Sequence, residues 1–169
     1  IRLWHFVAGQ IMAVGLVFRA WWAFVGNHHA KQMFIPPLWS APWWQEVLYE
    51  ARWYFFLEKT PKKYIGHNPL AQMAMFALFL LPAIVMVFTG MAIYGEGARG
   101  WSWFLFTSWM IPLFGNSFNL HTIHHWGLWV LVIFTIVHIY AAVREDIMSR
   151  QSLISTMVSG WRMFKDDKP

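Results

Sequence analysis

Three histidines, His5, His124 and His138, lie inside apolar stretches, where an imidazole is costly unless something binds it. His124 and His138 share the segment "HTIHHWGLWVLVIFTIVH", residues 121–138, which carries no formal charge. A helix turns ~100° and rises ~1.5 Å per residue, so the two are ~40° short of four full turns apart and ~21 Å apart along the axis. They face one way. His121 falls ~100° off the face of His138 and His125 ~140° off it. An imidazole at each end of one buried face is the spacing needed to ligate two b-type haems stacked across a bilayer. Iron held by two imidazoles is six-coordinate, which suits electron transfer and leaves no open position for oxygen. Such haems are not covalently attached, so the absence of a C-x-x-C-H motif is no objection.

Those positions require long helices in lipid, and the composition provides them. Of 169 residues, 58% are hydrophobic and 12% charged, against about 25% charged in ordinary soluble domains. The deficit is concentrated in three stretches, 3–25, 69–94 and 120–143, each meeting the ~20 residues a spanning helix needs. The expected fold class is an all-α membrane protein: a bundle with three spanning helices plus interfacial helices, in one domain over residues 1–169. Asn68 and Pro69 predict an N-cap and first helical residue, and Pro82 predicts a kink midway. The stretch "PWWQEVLYEARWYFFLEKTP" and residues 101–115 read as helices lying in the membrane interface. The many Trp and Tyr read mainly as an interfacial belt. There is no cysteine, which excludes disulfides and thiolate-bound metal or iron–sulfur clusters within the chain. The net charge of +5 gathers in no long basic run, so no nucleic-acid partner is expected. The first residue is Ile, which predicts a fragment or processed form.

Lys31, Arg52, Lys59, Lys62 and Lys63 lie in the 26–68 loop, and Arg144, Arg150, Arg162, Lys165 and Lys168 in the 144–169 tail. Only Arg2 and Arg99 lie on the other side. The positive-inside rule places loop and tail in the cytoplasm, and Ile1 and the 95–119 loop outside. Helices one and three then run in the same direction, so His5 and His124 have equal depth and can sandwich one outer haem. Gly9 and Gly127 would leave room for the macrocycle beside them. Arg19 reaches the depth of His138, where it can pair with propionates of an inner haem or simply snorkel to the surface. His138 has no ligand partner in this chain, since His67 is too shallow. Each histidine alone could instead hydrogen-bond a neighbouring helix. His28, His29, His121 and His125 read as solvated boundary residues.

The motifs resemble the b-type cytochrome subunit of membrane-bound uptake nickel–iron hydrogenases. Thr122, Ile123, His124, His125, Trp129, Phe134 and His138 match that family's helix signature, with Trp126 a departure from its usual aliphatic residue. Further matches are "GHNPLAQMAMF", "FTGMAIYGEGA" and "REDIMSRQSLISTMVSG". The resemblance implies a di-haem membrane anchor with four spanning helices, the first lying upstream and carrying a histidine that completes the inner haem with His138. It makes His5 and His124 the outer-haem ligands. It also implies residence in the bacterial inner membrane beside the nickel–iron large and iron–sulfur small subunits, with electrons passed to quinone. No hydrogen-activating site is expected in this chain. The related formate dehydrogenase cytochrome b shares the histidines but not these loops. A metal transporter would want acidic residues within the spans, and a non-redox anchor leaves the three histidines unexplained.

Overall fold

The three apolar stretches fold as long helices. This computed structural model describes residues 2–64, 66–150, 152–161 and 163, and among them every regular element is helical. Ile1, Arg162, Lys165 and Lys168 lie outside the described residues. The helices are α1 (Arg2–Val25), α2 (His28–Lys31), α3 (Ala41–Tyr54), α4 (Pro69–Gly97), α5 (Trp103–Phe114), α6 (Ser117–Ser149) and α7 (Leu153–Ser159). Of these, α1, α4 and α6 are long and apolar enough to cross a membrane, as the sequence leads one to expect. Helix α1 buries only Ala23 and turns Trp4, Ile11, Val17 and Phe24 outward, the surface of a helix whose solvent is hydrocarbon.

Helix α4 starts where the sequence places it. Asn68 Oδ1 accepts from the Ala71 backbone N–H at 2.6 Å, and Pro69 occupies the first helical position. Pro82 has no N–H to offer the Leu78 carbonyl, and its ring crowds that carbonyl. The disruption takes the form of a wider π-helical segment just before it, Met75–Leu80, in which the Leu81 N–H bonds the Phe76 carbonyl. Helix α6 runs past both ends of its apolar stretch, because apolar length sets what can span and hydrogen bonds set what stays helical.

The chain divides into two compact units, Ile1–Pro36 with Ala74–Leu131, and Pro37–Met73 with Val132–Pro169. In the first, Ala92, Met110 and Leu120 form a buried cluster flanked by Ile93, Phe106, Ile111 and Phe114. Thr107 donates to the Ala92 carbonyl at 2.7 Å. Gly95 makes that closeness possible: a Cβ there would collide with the Thr107 hydroxyl and lie 2.9 Å from the Trp103 nitrogen.

In the second unit, tryptophan indoles act as struts. Trp43 donates to Gln72 and Trp53 to Glu145, each at 3.0 Å. The Arg144 guanidinium donates to the Trp53 carbonyl at 2.8 Å and lies over the Trp53, Tyr54 and Phe56 rings. Beside them Glu46 binds Lys62 and Tyr64, each at 2.7 Å, which holds its carboxyl below the usual range.

Glu50 is almost wholly buried, and burial raises its carboxyl to about 7, with Glu145 and Glu46 adding to the rise and Tyr64 and Lys62 opposing it. A carboxyl raised by folding favours the protonated fold. Its contribution is complete below the ordinary value of 4.5 and is lost as pH rises through about 7. Glu50→Gln should therefore flatten the fall in thermal midpoint between pH 5 and pH 8, measured in detergent; an unchanged slope would remove Glu50 as its cause.

Candidate cofactor site

The first unit contains a cavity of about 710 Å³, a size within the ~300–1,000 Å³ typical of small-molecule sites. The early part of α1, the second half of α4 and the first turns of α6 enclose it. Met12, Met86, Val87 and Leu128 supply apolar wall; Gly9, Gly90 and Gly97 leave wall without side chains. Arg2, His121 and His125 add charge or potential charge beside His5 and His124.

His5 and His124 meet here as their matched depths lead one to expect. Their ring centres are 6.0 Å apart and the planes cross at 87°. His124 Nδ1 lies 2.8 Å from the Thr89 hydroxyl, and Gly90 brings the α4 backbone against the same ring. A Cβ at Gly90 would stand 3.2 Å from His124 Cε1. His121 and His125 each point Nδ1 at the carbonyl four residues earlier, at 2.9 and 3.0 Å. They are exposed, as boundary histidines should be, yet they also line the cavity.

The structure sorts the other residues singled out by sequence. Gly9 borders the cavity, and a Cβ there would meet nothing within 4 Å. Gly127 does not line the cavity, and a Cβ there would fall 2.5 Å from Met86 Sδ, the far end of a flexible side chain on α4. Arg19 lies 5.3 Å from the Phe34 ring centre, and its Nη1 is buried without a hydrogen-bond partner among the described residues. His138 belongs to the second unit, exposed and stacked on Phe134 with ring centres 5.4 Å apart. His67 is exposed just ahead of α4. Sequence reasoning missed Thr89 and Gly90, because one threonine–glycine pair within an apolar run carries no periodic signal.

The family profile described as prokaryotic cytochrome b561 matches residues 1–160. The chain belongs to that family. Among curated relatives, it is 60% identical to a probable Ni/Fe-hydrogenase B-type cytochrome subunit of Azotobacter vinelandii, covering 100% of this chain and 71% of the relative. A protein of the same description from Rhizobium leguminosarum bv. viciae is 55% identical, over 98% of this chain and 70% of the relative. The probable Ni/Fe-hydrogenase 1 B-type cytochrome subunit of Escherichia coli (strain K12) is 46% identical, over 99% and 72%. The three apolar helices are thus those of a membrane cytochrome.

A b-type cytochrome carries haem b, and the cavity can be tested against it. Two imidazoles on opposite sides of one metal, bonded at about 2.0–2.1 Å, have ring centres roughly 6 Å apart. The observed 6.0 Å fits, as do the size and apolar walls of the cavity. This gives expectations for two glycines, each lowering haem content by a different route when substituted. Gly90→Val should displace the His124 ring and reduce haem retention by about tenfold. Gly9→Leu meets open space, so the protein should fold normally while haem content falls. Full haem content in purified Gly9→Leu, by pyridine haemochrome assay, would show that this cavity is not the site.

Proposed function

We propose that this chain is the membrane-embedded, electron-carrying subunit of a nickel–iron hydrogenase, passing electrons from an iron–sulfur partner subunit to the quinone pool. The observation that carries the reading is the pair His5 and His124, with ring centres 6.0 Å apart, in the lining of a cavity of about 710 Å³. These two ligate an outer haem b. Bound there, haem would supply one-electron chemistry, and holding it through His5 and His124 would suit electron transfer. The chain orients the group through two imidazoles, excludes water with Met12, Met86 and Leu128, and offers Arg2, His121 and His125 as partners for its carboxylates.

His138 provides one ligand of an inner haem, and the family resemblance supplies its partner from a further spanning helix. Arg19, with a buried nitrogen lacking an acceptor, is suited to a carboxylate of that group. The large nickel–iron subunit enters on the strength of the relatives' descriptions. The charge bias of the loops supports an inner-membrane orientation with the 26–68 loop and the tail cytoplasmic.

In the purified full-length complex, His124→Ala should remove about half of the b-type bands from the reduced-minus-oxidised spectrum, if two haems share them equally. Hydrogen-driven quinone reduction should fall by at least about tenfold, while hydrogen oxidation with a soluble dye persists. Bands untouched by the substitution would sink the outer-haem assignment. Co-purification with formate dehydrogenase subunits instead of nickel–iron subunits would redirect the partner.

A further inference from the structure

The Thr89 hydroxyl stands between two helices with one hydrogen to give. It is nearly fully buried on α4 and lies 2.7 Å from the Val85 carbonyl, 3.4 Å from the Met86 carbonyl and 2.8 Å from His124 Nδ1 on α6. The hydrogen goes to Val85, the shorter of the two carbonyl contacts and the usual back-bond of a helical threonine. The oxygen lone pair then faces Nδ1, so the ring must donate: Nδ1 carries the proton and Nε2 carries the free pair. A neutral imidazole has one proton to place, and this bond places it away from the metal-binding nitrogen.

We propose that Thr89 is a positioning residue for the outer haem, fixing the tautomer, ring plane and donor strength of His124 and so setting the reduction potential of that centre. The proposal rests on the assignment of His124 as an iron ligand. Gly90 assists from the next position, where its missing side chain lets the α4 backbone stand against the ring and limit its rotation. The His5 ring makes no corresponding hydrogen bond among the described residues, its recorded ring contacts being with Phe6 and His124. The two ligands are therefore unequal. A ligating N–H that donates to an oxygen raises the basicity of the other nitrogen and stabilises the oxidised iron. Losing the bond should move the potential upward.

Three variants of the full-length complex separate hydroxyl from shape: Thr89→Ser keeps the hydroxyl, Thr89→Val keeps the volume, and Thr89→Ala keeps neither. Redox titration should find serine at the wild-type potential and valine and alanine shifted positive, with the low-spin electron paramagnetic resonance signal moved in the same two. Outer haem lost from valine but retained in serine supports the same conclusion. Valine matching wild type in both readouts would overturn it, as would loss of the haem from serine, since volume would then be what matters. His124→Ala is the control: if it leaves the outer haem in place, the ligand assignment fails; if it removes the haem while Thr89→Val changes nothing, only the role of Thr89 fails.

Discussion

In hydrocarbon there is no water to satisfy a polar atom, so every buried donor must find its acceptor within the protein. Much of the first unit follows from that constraint. The hydroxyls of Thr89 and Thr107 take carbonyls of α4, Ser117 donates to Glu96 at 2.7 Å, and Gln10 reaches the Met91 sulfur. Because lipid tails are as apolar as the side chains they touch, packing between such helices depends on close approach. Ala92 and Gly95 allow that approach, and the polar contacts set its register. The cavity is the exception in this otherwise close-packed arrangement, and His5 and His124 meet in its lining.

The second unit meets the same demand with different chemistry. Its indoles donate to buried carboxamide and carboxylate groups, and Arg144 is held by a carbonyl and three aromatic faces. A guanidinium is weakly hydrated and stacks readily, so aromatic rings can replace much of the water it gives up. Phe56 contributes its ring from a left-handed backbone conformation, φ 60°, that only a well-determined environment tolerates.

How far the sequence discloses this depends on the kind of information each feature needs. Helices α1, α4 and α6 are legible because stretches of about twenty predominantly apolar residues have few other uses. The meeting of His5 with His124 is legible because depth follows from counting residues. Thr89 and Gly90 are not legible, since their importance comes from what stands opposite them. The tryptophans mislead in part: a belt at the interface explains many of them, but Trp43 and Trp53 are buried and hydrogen-bonded. Gly127 is not legible either, because counting residues does not reveal that the Met86 side chain occupies the space beside it.

The wide turn at Met75–Leu80 has a genetic consequence. A π-helical segment accommodates an additional residue where an α-helix would need one fewer. Deleting a single codon there would let the segment relax to an ordinary α-helix, at little local expense. Everything downstream on α4 would then keep its phase relative to what precedes it, leaving Thr89 and Gly90 against the His124 ring, whereas the same deletion in the α-helical residues after Pro82 would rotate them by ~100°. The segment is thus the one stretch of α4 where loss of a residue can be absorbed, and between it and Thr89 the length is fixed by the ring that Thr89 must meet.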